Sequence, residues 1–376
     1  MKPSSGSASA DDRDAKRRRL IDLSHNKYIS GAGLASTLNN VREHGLPDKS
    51  GRMTITRARQ AACDNHTPFG QLIQTVALPM PDGTTTEIHI QHPLAMLYDT
   101  CATSPGFADL MRASLARKPC TRETPWTLII YNDEVGVSPL KHDTRKVESV
   151  YWSFLELGTL ALSTEEAWFV ISAPRSDIIH AAGAGFSTWM KALFPSFFNP
   201  LGHDLSNGIM LKLHGNNGVS VMLHATFQIF AADERAIKFV FGCKGSGGVK
   251  PCALCLNICK LGDPRSKTDG YALDISCFDI AKFKMASDES ICAILRTLRD
   301  KMARGENVET EQSMWGWVYN PHNIMAMFEA APCKPVANTM FDWMHIYLVD
   351  GIWNVELFFL LVYLKAKKVP VNVCGL

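Results

Sequence analysis

The sequence lacks several patterns that would assign a function directly. Its glycine-rich segment "GCKGSGGVK" does not end in the Gly-Lys-Ser/Thr of a nucleotide-binding P-loop, and the chain shows no dinucleotide-binding glycine pattern. The longest apolar run near the C-terminus, "LFFLLVYL" at 357–364, is far shorter than the roughly 20 residues that span a bilayer. We therefore expect neither a P-loop enzyme nor a membrane partner.

Net charge is also nearly absent. The 39 Lys and Arg residues against 37 Asp and Glu leave a net charge of +2, so nucleic-acid binding would need a local patch. The N-terminal segment has no apolar stretch of the signal-peptide type, so the 11 cysteines are expected to be reduced thiols or metal ligands in an intracellular protein. The cluster "KRRR" at 16–19 suits nuclear import or simple solvation, and we predict a nuclear protein.

Hydrophobic patterning divides the chain into five segments. The first is too polar to fold and is predicted to be a disordered basic tail. The second contains a β-hairpin around the turn "PDG" and helices, and the third is rich in strands. The predicted boundaries are 1–24 for the tail, 25–122 for an N-terminal α+β region, then 123–243, 244–340 and 341–376.

Two predicted strands end in bare carboxylates. Asp133 follows the apolar run "WTLIIY", and Asp233, which lies 100 residues later, follows "ATFQIF". Ends of different strands can meet at one edge of a sheet, where paired carboxylates would suit Mg²⁺ or Mn²⁺ and two-metal chemistry on phosphodiesters. The alternative is that each Asp merely caps a turn.

A Cys-x-x-Cys pair, Cys252 and Cys255, follows in "GVKPCALC". Such a knuckle presents two thiolates to Zn²⁺, but a tetrahedral site needs two more ligands. The alternatives are a redox pair and ordinary buried thiols. The candidates for the missing ligands are Cys259, His322, His345 and Asp350.

The order of strand-Asp133, "ATFQIFAADERAIKFVFGCKGSGGVKPCALC" and "FDWMH" resembles the catalytic region of CACTA-type and Plavaka-like eukaryotic DNA transposases over residues 125–360. The resemblance implies an α/β fold, an RNase H-like mixed sheet with a mostly helical, zinc-bearing insertion and an N-terminal appendage. In these terms 123–243 is the first part of the core, 244–340 the insertion and 341–376 the return to the core. It implies that Asp133 and Asp233 are catalytic metal ligands, and that Cys252, Cys255 and His345 bind Zn²⁺.

Two positions depart from the family pattern. A second histidine usually follows the first, whereas this chain has Asp350 there, which we predict to be the fourth zinc ligand. The third catalytic acid is predicted to be Glu356 on a helix, with Asp350 as a competitor. If the true third acid is missing, the chain is a truncated copy without activity.

The predicted function is a DDE DNA nuclease and strand transferase that uses Mg²⁺ or Mn²⁺. Its partners would be transposon ends and target DNA, and it would act as a homo-oligomer. The first alternative is a non-catalytic, zinc-stabilised DNA-binding or assembly protein derived from a transposase. The second is a zinc-stabilised interaction protein unrelated to transposition, in which the two Asp carboxylates lie more than about 10 Å apart, too far to share ions.

Overall fold

The structure is a computed structural model, and its contacts divide the chain into two units, Met1–Ala62 and Cys63–Leu376. In the first unit residues 37–39 and 41–42 are helical. No helix among the described residues has the length and apolar character needed to cross a membrane. The structure describes residues 37–39, 41–42, 64–136, 146–199, 201–215, 220–260, 262–263, 272–274, 276–277, 279–327, 333–342, 356–357, 359–360, 362–363 and 367.

The second unit opens with antiparallel hairpins. The predicted hairpin forms, and its turn contains Gly83 at φ 83°, a left-handed conformation that glycine adopts without strain. The Asp82 carboxylate accepts a hydrogen bond from the Thr84 amide at 2.9 Å and closes the turn. The strands are β1 (His66–Thr67), β2 (Gly70–Gln71), β3 (Ile73–Pro79) and β4 (Thr85–Gln91).

Two helices follow, α1 (Pro93–Thr103) and α2 (Pro105–Arg117). Each begins with a proline, whose fixed φ suits the first helical position and whose missing N–H costs nothing there. Ser104 separates the helices and caps the second, because its hydroxyl accepts from the Phe107 amide at 3.4 Å. The predicted helical region before the first core strand is thus confirmed.

The central feature is a five-stranded mixed sheet in the spatial order β13-β10-β5-β6-β7. Within this sheet β6 is antiparallel to both β5 and β7. Strands β10 and β13 lie on the other side of β5, and they run parallel to it and to each other. The strands are β5 (Trp126–Gly136), β6 (Lys146–Phe154), β7 (Phe169–Ser172), β10 (Ala225–Ala232) and β13 (Thr339–Phe341).

Strand β5 is central because its first half is apolar on both faces. Residues 126–130 are all buried, as expected for a strand covered on both sides. Its last residues are polar and partly exposed, so the strand leaves the core where its acids begin.

Short helices connect and cover the strands. Helix α6 (Glu234–Phe241) buries Ile237, Val240 and Phe241 against the core. It ends at Gly242, whose φ of 72° and close approach to the Val318 carbonyl leave no room for a side chain. The preceding helices are α3 (Thr159–Leu162), α4 (Ser176–His180) and α5 (Phe186–Leu193).

The segment between β10 and β13 holds α7 (Asp288–Ala303) and α8 (Glu309–Trp315). Ser287 caps α7 in a reciprocal pair with Ser290, which satisfies the free amides of its first turn. The remaining elements are the strand pairs β8 (Ile209–Lys212) with β9 (Ser220–Leu223) and β11 (Ile258–Cys259) with β12 (Leu273–Asp274), and 3₁₀ turns at Leu155–Leu157, Glu165–Ala167, Phe194–Ser196, Gly245–Gly247, Ile280–Lys282 and Ile324–Met327.

One apolar core holds the second unit together, and its largest fully buried side chains include Trp126, Trp152 and Trp189. Trp152 stacks on Phe169 with ring centroids 4.7 Å apart, so strands β6 and β7 share one aromatic layer. The α/β class with a mixed sheet is confirmed. Because the division falls after Ala62, the hairpin and α1 belong to the same unit as the sheet, and the finer predicted domain boundaries stay predictions.

Candidate functional site: two acidic groups at the end of strand β5

Asp133 and Asp233 lie at the carboxyl ends of two neighbouring parallel strands. Tyr131 on β5 pairs with Ala231 on β10, so the two Asp residues, each two positions further on, continue the same row. Both line one cavity of about 170 Å³. Asp233 also caps α6, because its Oδ1 accepts from the Ala236 amide at 2.6 Å. The predicted strand-end acids therefore share a cavity, and one of them also has a structural role.

A third aspartate continues this row. Asp342 directly follows β13, and its amide donates to the Ala232 carbonyl at 2.8 Å, next to Asp233. The Tyr131 hydroxyl donates to Asp342 Oδ2 at 3.4 Å, which ties β13 to β5 across the intervening strand. Asp133 lies near the end of β5, and Asp233 and Asp342 directly follow the two strands parallel to it. The three occupy neighbouring register positions, and we name this group the aspartate row: Asp133, Asp233 and Asp342.

Tyr131 lies close enough to all three carboxylates for their charges to affect its pKa. Burial raises the pKa of its phenol well above the usual range. The negative charges of Asp133, Asp342 and Asp233 raise this pKa further. Tyr131 is therefore held protonated as a hydrogen-bond donor beside the row.

An aromatic cavity of about 680 Å³ adjoins Asp133 on the same face of the sheet. Tyr131, Tyr151 and Trp168 line it, with ring centroids 6.1 Å apart for the two tyrosines and 6.5 Å apart for Tyr131 and Trp168. The Trp168 indole is fixed because its Nε1 donates to the Leu162 carbonyl at 2.9 Å. Flat aromatic faces thus border the aspartate row.

The opposite face of β5 carries a second group. Successive side chains on a strand point to opposite faces, so Glu134 starts from the face opposite Asp133, although both residues border the cavity of about 170 Å³. Glu134 pairs directly with Glu148 on β6, and His180, the last residue of α4, lies beside both. His180 Nε2 is 3.3 Å from Glu148 Oε1 and 3.9 Å from Glu134 Oε1. We name these residues the Glu-Glu-His group.

The two glutamates differ in their electrostatics. Burial raises the pKa of Glu148 above its ordinary value, and the charge of Glu134 adds to this, while Asn132 and His180 oppose it. Burial also acts to raise the pKa of Glu134. The hydrogen bond and charge of Lys146 and the charge of Arg235 outweigh it and hold this pKa below its ordinary value. Glu134 is therefore the charged partner of the pair over a wider pH range.

The cysteine pair is partly assembled. Burial raises the pKa of Cys255 to about 12, and a hydrogen bond with the Cys252 thiol adds to this shift. Two sulfurs in contact fit half of a tetrahedral zinc site. Within the described part of the chain neither Cys259 nor His322 joins them in a group of three ligand atoms.

Of the remaining predicted site residues, only Glu356 lies within the described part of the chain. His345 and Asp350 lie outside the described residues. Glu356 is helical and its side chain is exposed, and no hydrogen bond or ion pair recorded between described residues joins it to Asp133 or Asp233.

Asp342 and the Glu-Glu-His group were not predicted from the sequence. Asp342 carries the same signal as the other two acids, an aspartate directly after a strand, but β13 has only three residues. His180 and Glu148 carry no such local signal, because only the strand register and the packing of α4 bring them to Glu134.

Comparison with models of known protein families and with curated protein sequences finds no match for this chain. The proposed function therefore rests on the geometry at the end of β5.

Proposed function

We propose that the protein is a divalent-metal-dependent DNA nuclease and strand transferase with an RNase H-like core. The observation that carries the proposal is that Asp133 and Asp233, from neighbouring parallel strands, line one cavity. Carboxylate oxygens are the ligands that Mg²⁺ and Mn²⁺ prefer, so the chemistry of this donor set fits the ions.

The order and directions of the five strands support the RNase H-like part of the proposal. In that fold three antiparallel strands are followed by two strands parallel to the first, which fits the order β13-β10-β5-β6-β7. The first acid then lies on the first strand and the second directly after the fourth, as in Asp133 and Asp233.

The residues of the chain have distinct tasks in this proposal. Bound divalent ions would stabilise the attacking and leaving oxygens of an in-line displacement at phosphorus. Asp133 and Asp233 supply ligand oxygens, and Asp342 takes the place of the third acid, positioned by the Tyr131 hydroxyl. The aromatic cavity beside Asp133 offers a stacking surface for a base next to the cleaved phosphate.

Zinc has a structural task in the proposal. Cys252 and Cys255 would provide two thiolates, and binding would release their protons. His345 and Asp350 remain the proposed partners. We also propose a nuclear protein that acts as an oligomer on DNA.

The direct test is nicking of a supercoiled plasmid by the purified chain in Mg²⁺ or Mn²⁺. Asp133→Asn and Asp233→Asn should abolish nicking while the protein stays folded, since Asn at 233 can still cap α6. The matched control is Asp109→Asn, an exposed acid on α2 that pairs only locally with Arg112. Equal rates in all four proteins would overturn the proposal.

One observation favours a second candidate, a non-catalytic DNA-binding or assembly protein. The Asp233 carboxylate already has a structural reason to be present, because it caps α6. Under this candidate the wild type binds DNA in a gel-shift assay, is inert in Mg²⁺ and Mn²⁺, and loses stability when Asp233 is truncated.

A further inference from the structure

The Glu-Glu-His group has the geometry of a metal site whose ligands differ from the residues of the aspartate row. Glu134, Glu148 and His180 each direct one ligand atom inward, and these atoms all lie within 4.8 Å of one another. Glu148 is only 6% exposed, whereas Glu134 is half-buried and His180 reaches solvent. The group therefore combines a fixed buried ligand with access from outside.

The outer oxygens of both glutamates are already occupied. Glu134 Oε2 accepts from Lys146 Nζ at 3.0 Å, and Glu148 Oε2 accepts from Asn132 Nδ2 at 3.3 Å. Each carboxylate is thereby oriented so that its Oε1 faces His180 Nε2. Partners of this kind, which hold ligands from outside, are characteristic of protein metal sites.

A cation between the two carboxylates would offset their mutual repulsion. Two carboxylates directly opposite each other on neighbouring strands repel. Lys146 lies on the outer side of Glu134 and does not separate the two Oε1 atoms. The group borders the same cavity of about 170 Å³ that Asp133 and Asp233 line, and this cavity provides room for an ion and its remaining water ligands.

We propose that Glu134, Glu148 and His180 bind one divalent transition-metal ion of the Mn²⁺ or Zn²⁺ class. The imidazole nitrogen favours such ions over Mg²⁺ and Ca²⁺, which prefer oxygen ligands only. The inference does not rest on the proposed nuclease function, because none of its three ligands belongs to the aspartate row.

The test is calorimetric titration of the full chain with Mn²⁺ in the presence of excess Mg²⁺. Magnesium occupies oxygen-only sites, and Mn²⁺ has little affinity for the thiols of Cys252 and Cys255, so the remaining signal reports a site with an imidazole. Glu148→Gln and His180→Ala should each weaken Mn²⁺ binding at least about tenfold, the lower end of what even outer-shell changes cause. Asp177→Asn on the same helix is the control, because its carboxylate pairs with Arg175 instead.

A second readout separates a metal site from a simple ion pair. The His180 ring signals, assigned by their absence in His180→Ala, should broaden in the proton spectrum when a small fraction of an equivalent of Mn²⁺ is added. Sharp signals, together with equal Mn²⁺ affinity in wild type, Glu148→Gln and His180→Ala, would overturn the proposal. His180 is exposed, so its truncation should leave the fold intact. If Asp133→Asn loses nicking but still binds Mn²⁺, the nuclease proposal and the proposal of a Mn²⁺ site at the Glu-Glu-His group are tested independently.

Discussion

The two faces of strand β5 carry two different acidic groups within one residue of each other. On one face the aspartate row contains only carboxylates, each from the end of a parallel strand, beside aromatic rings. On the other face the Glu-Glu-His group combines an antiparallel strand pair with a helix end and an imidazole. The acidic dipeptide Asp133-Glu134 thus contributes one carboxylate to each group, and both groups border the same cavity.

The largest expected effect comes from substituting Asp133 and Glu134 one at a time. Asp133→Asn should abolish detectable nicking, a loss of at least about a thousandfold, since metal ions contribute several kcal/mol to such transition states. Glu134→Gln should lower it far less and should instead weaken Mn²⁺ binding. Plasmid nicking and calorimetry on both variants measure this. If both variants lose nicking and Mn²⁺ binding to the same extent, the two groups form one site.

The variant Asp342→Asn tests whether Asp342 acts together with Asp133 and Asp233. We expect nicking to fall on the order of a hundredfold, because the variant removes one charged ligand oxygen of the proposed third acid. Tyr131→Phe removes the hydroxyl that binds Asp342 and should give a smaller loss in the same direction. Unchanged nicking in Asp342→Asn, with Asp133→Asn inactive, would return the role of third acid to Glu356.

Asp233 allows the structural and chemical roles of one side chain to be separated. Asp233→Ala should lower the free energy of unfolding by about 1 kcal/mol, because α6 loses its cap, while Asp233→Asn should leave it nearly unchanged. Urea denaturation measures the difference. If both variants are equally destabilised, the charge of Asp233 rather than the cap stabilises the fold.

The smallest expected effect is a pH dependence of stability on the Glu-Glu-His face. The folded-state pKa of Glu148 is raised above its ordinary value of 4.5, so its contribution to stability is present below that value and is lost as the pH rises toward the folded-state pKa. Glu148→Gln should remove this loss. Denaturation in chelator from pH 4 upward should show the variant gaining stability relative to wild type. If the stability difference between Glu148→Gln and wild type stays the same across this pH range, titration of Glu148 is not its cause.

Local patterns were sufficient to predict the elements that depend on local chemistry. The "PDG" turn and the helices before β5 occur as expected, because each depends on a few neighbouring residues. Asp342 was missed because β13 is short and becomes a strand only by pairing with β10. His180 and Glu148 were missed for a related reason, since no local signal predicts which face of β5 a distant helix will cover.

The position of strand β13 in the chain determines when the aspartate row can be completed. Residues 233–338 separate it from β10, the strand on which it docks, so its pairing closes one of the longer loops of the sheet. Contacts of such sequence separation form late in folding, after local hairpins and helices. During synthesis Asp133 and Asp233 can meet well before Asp342 leaves the ribosome. A growing chain therefore carries an incomplete row, and the three carboxylates come together only when this last strand closes the edge of the sheet.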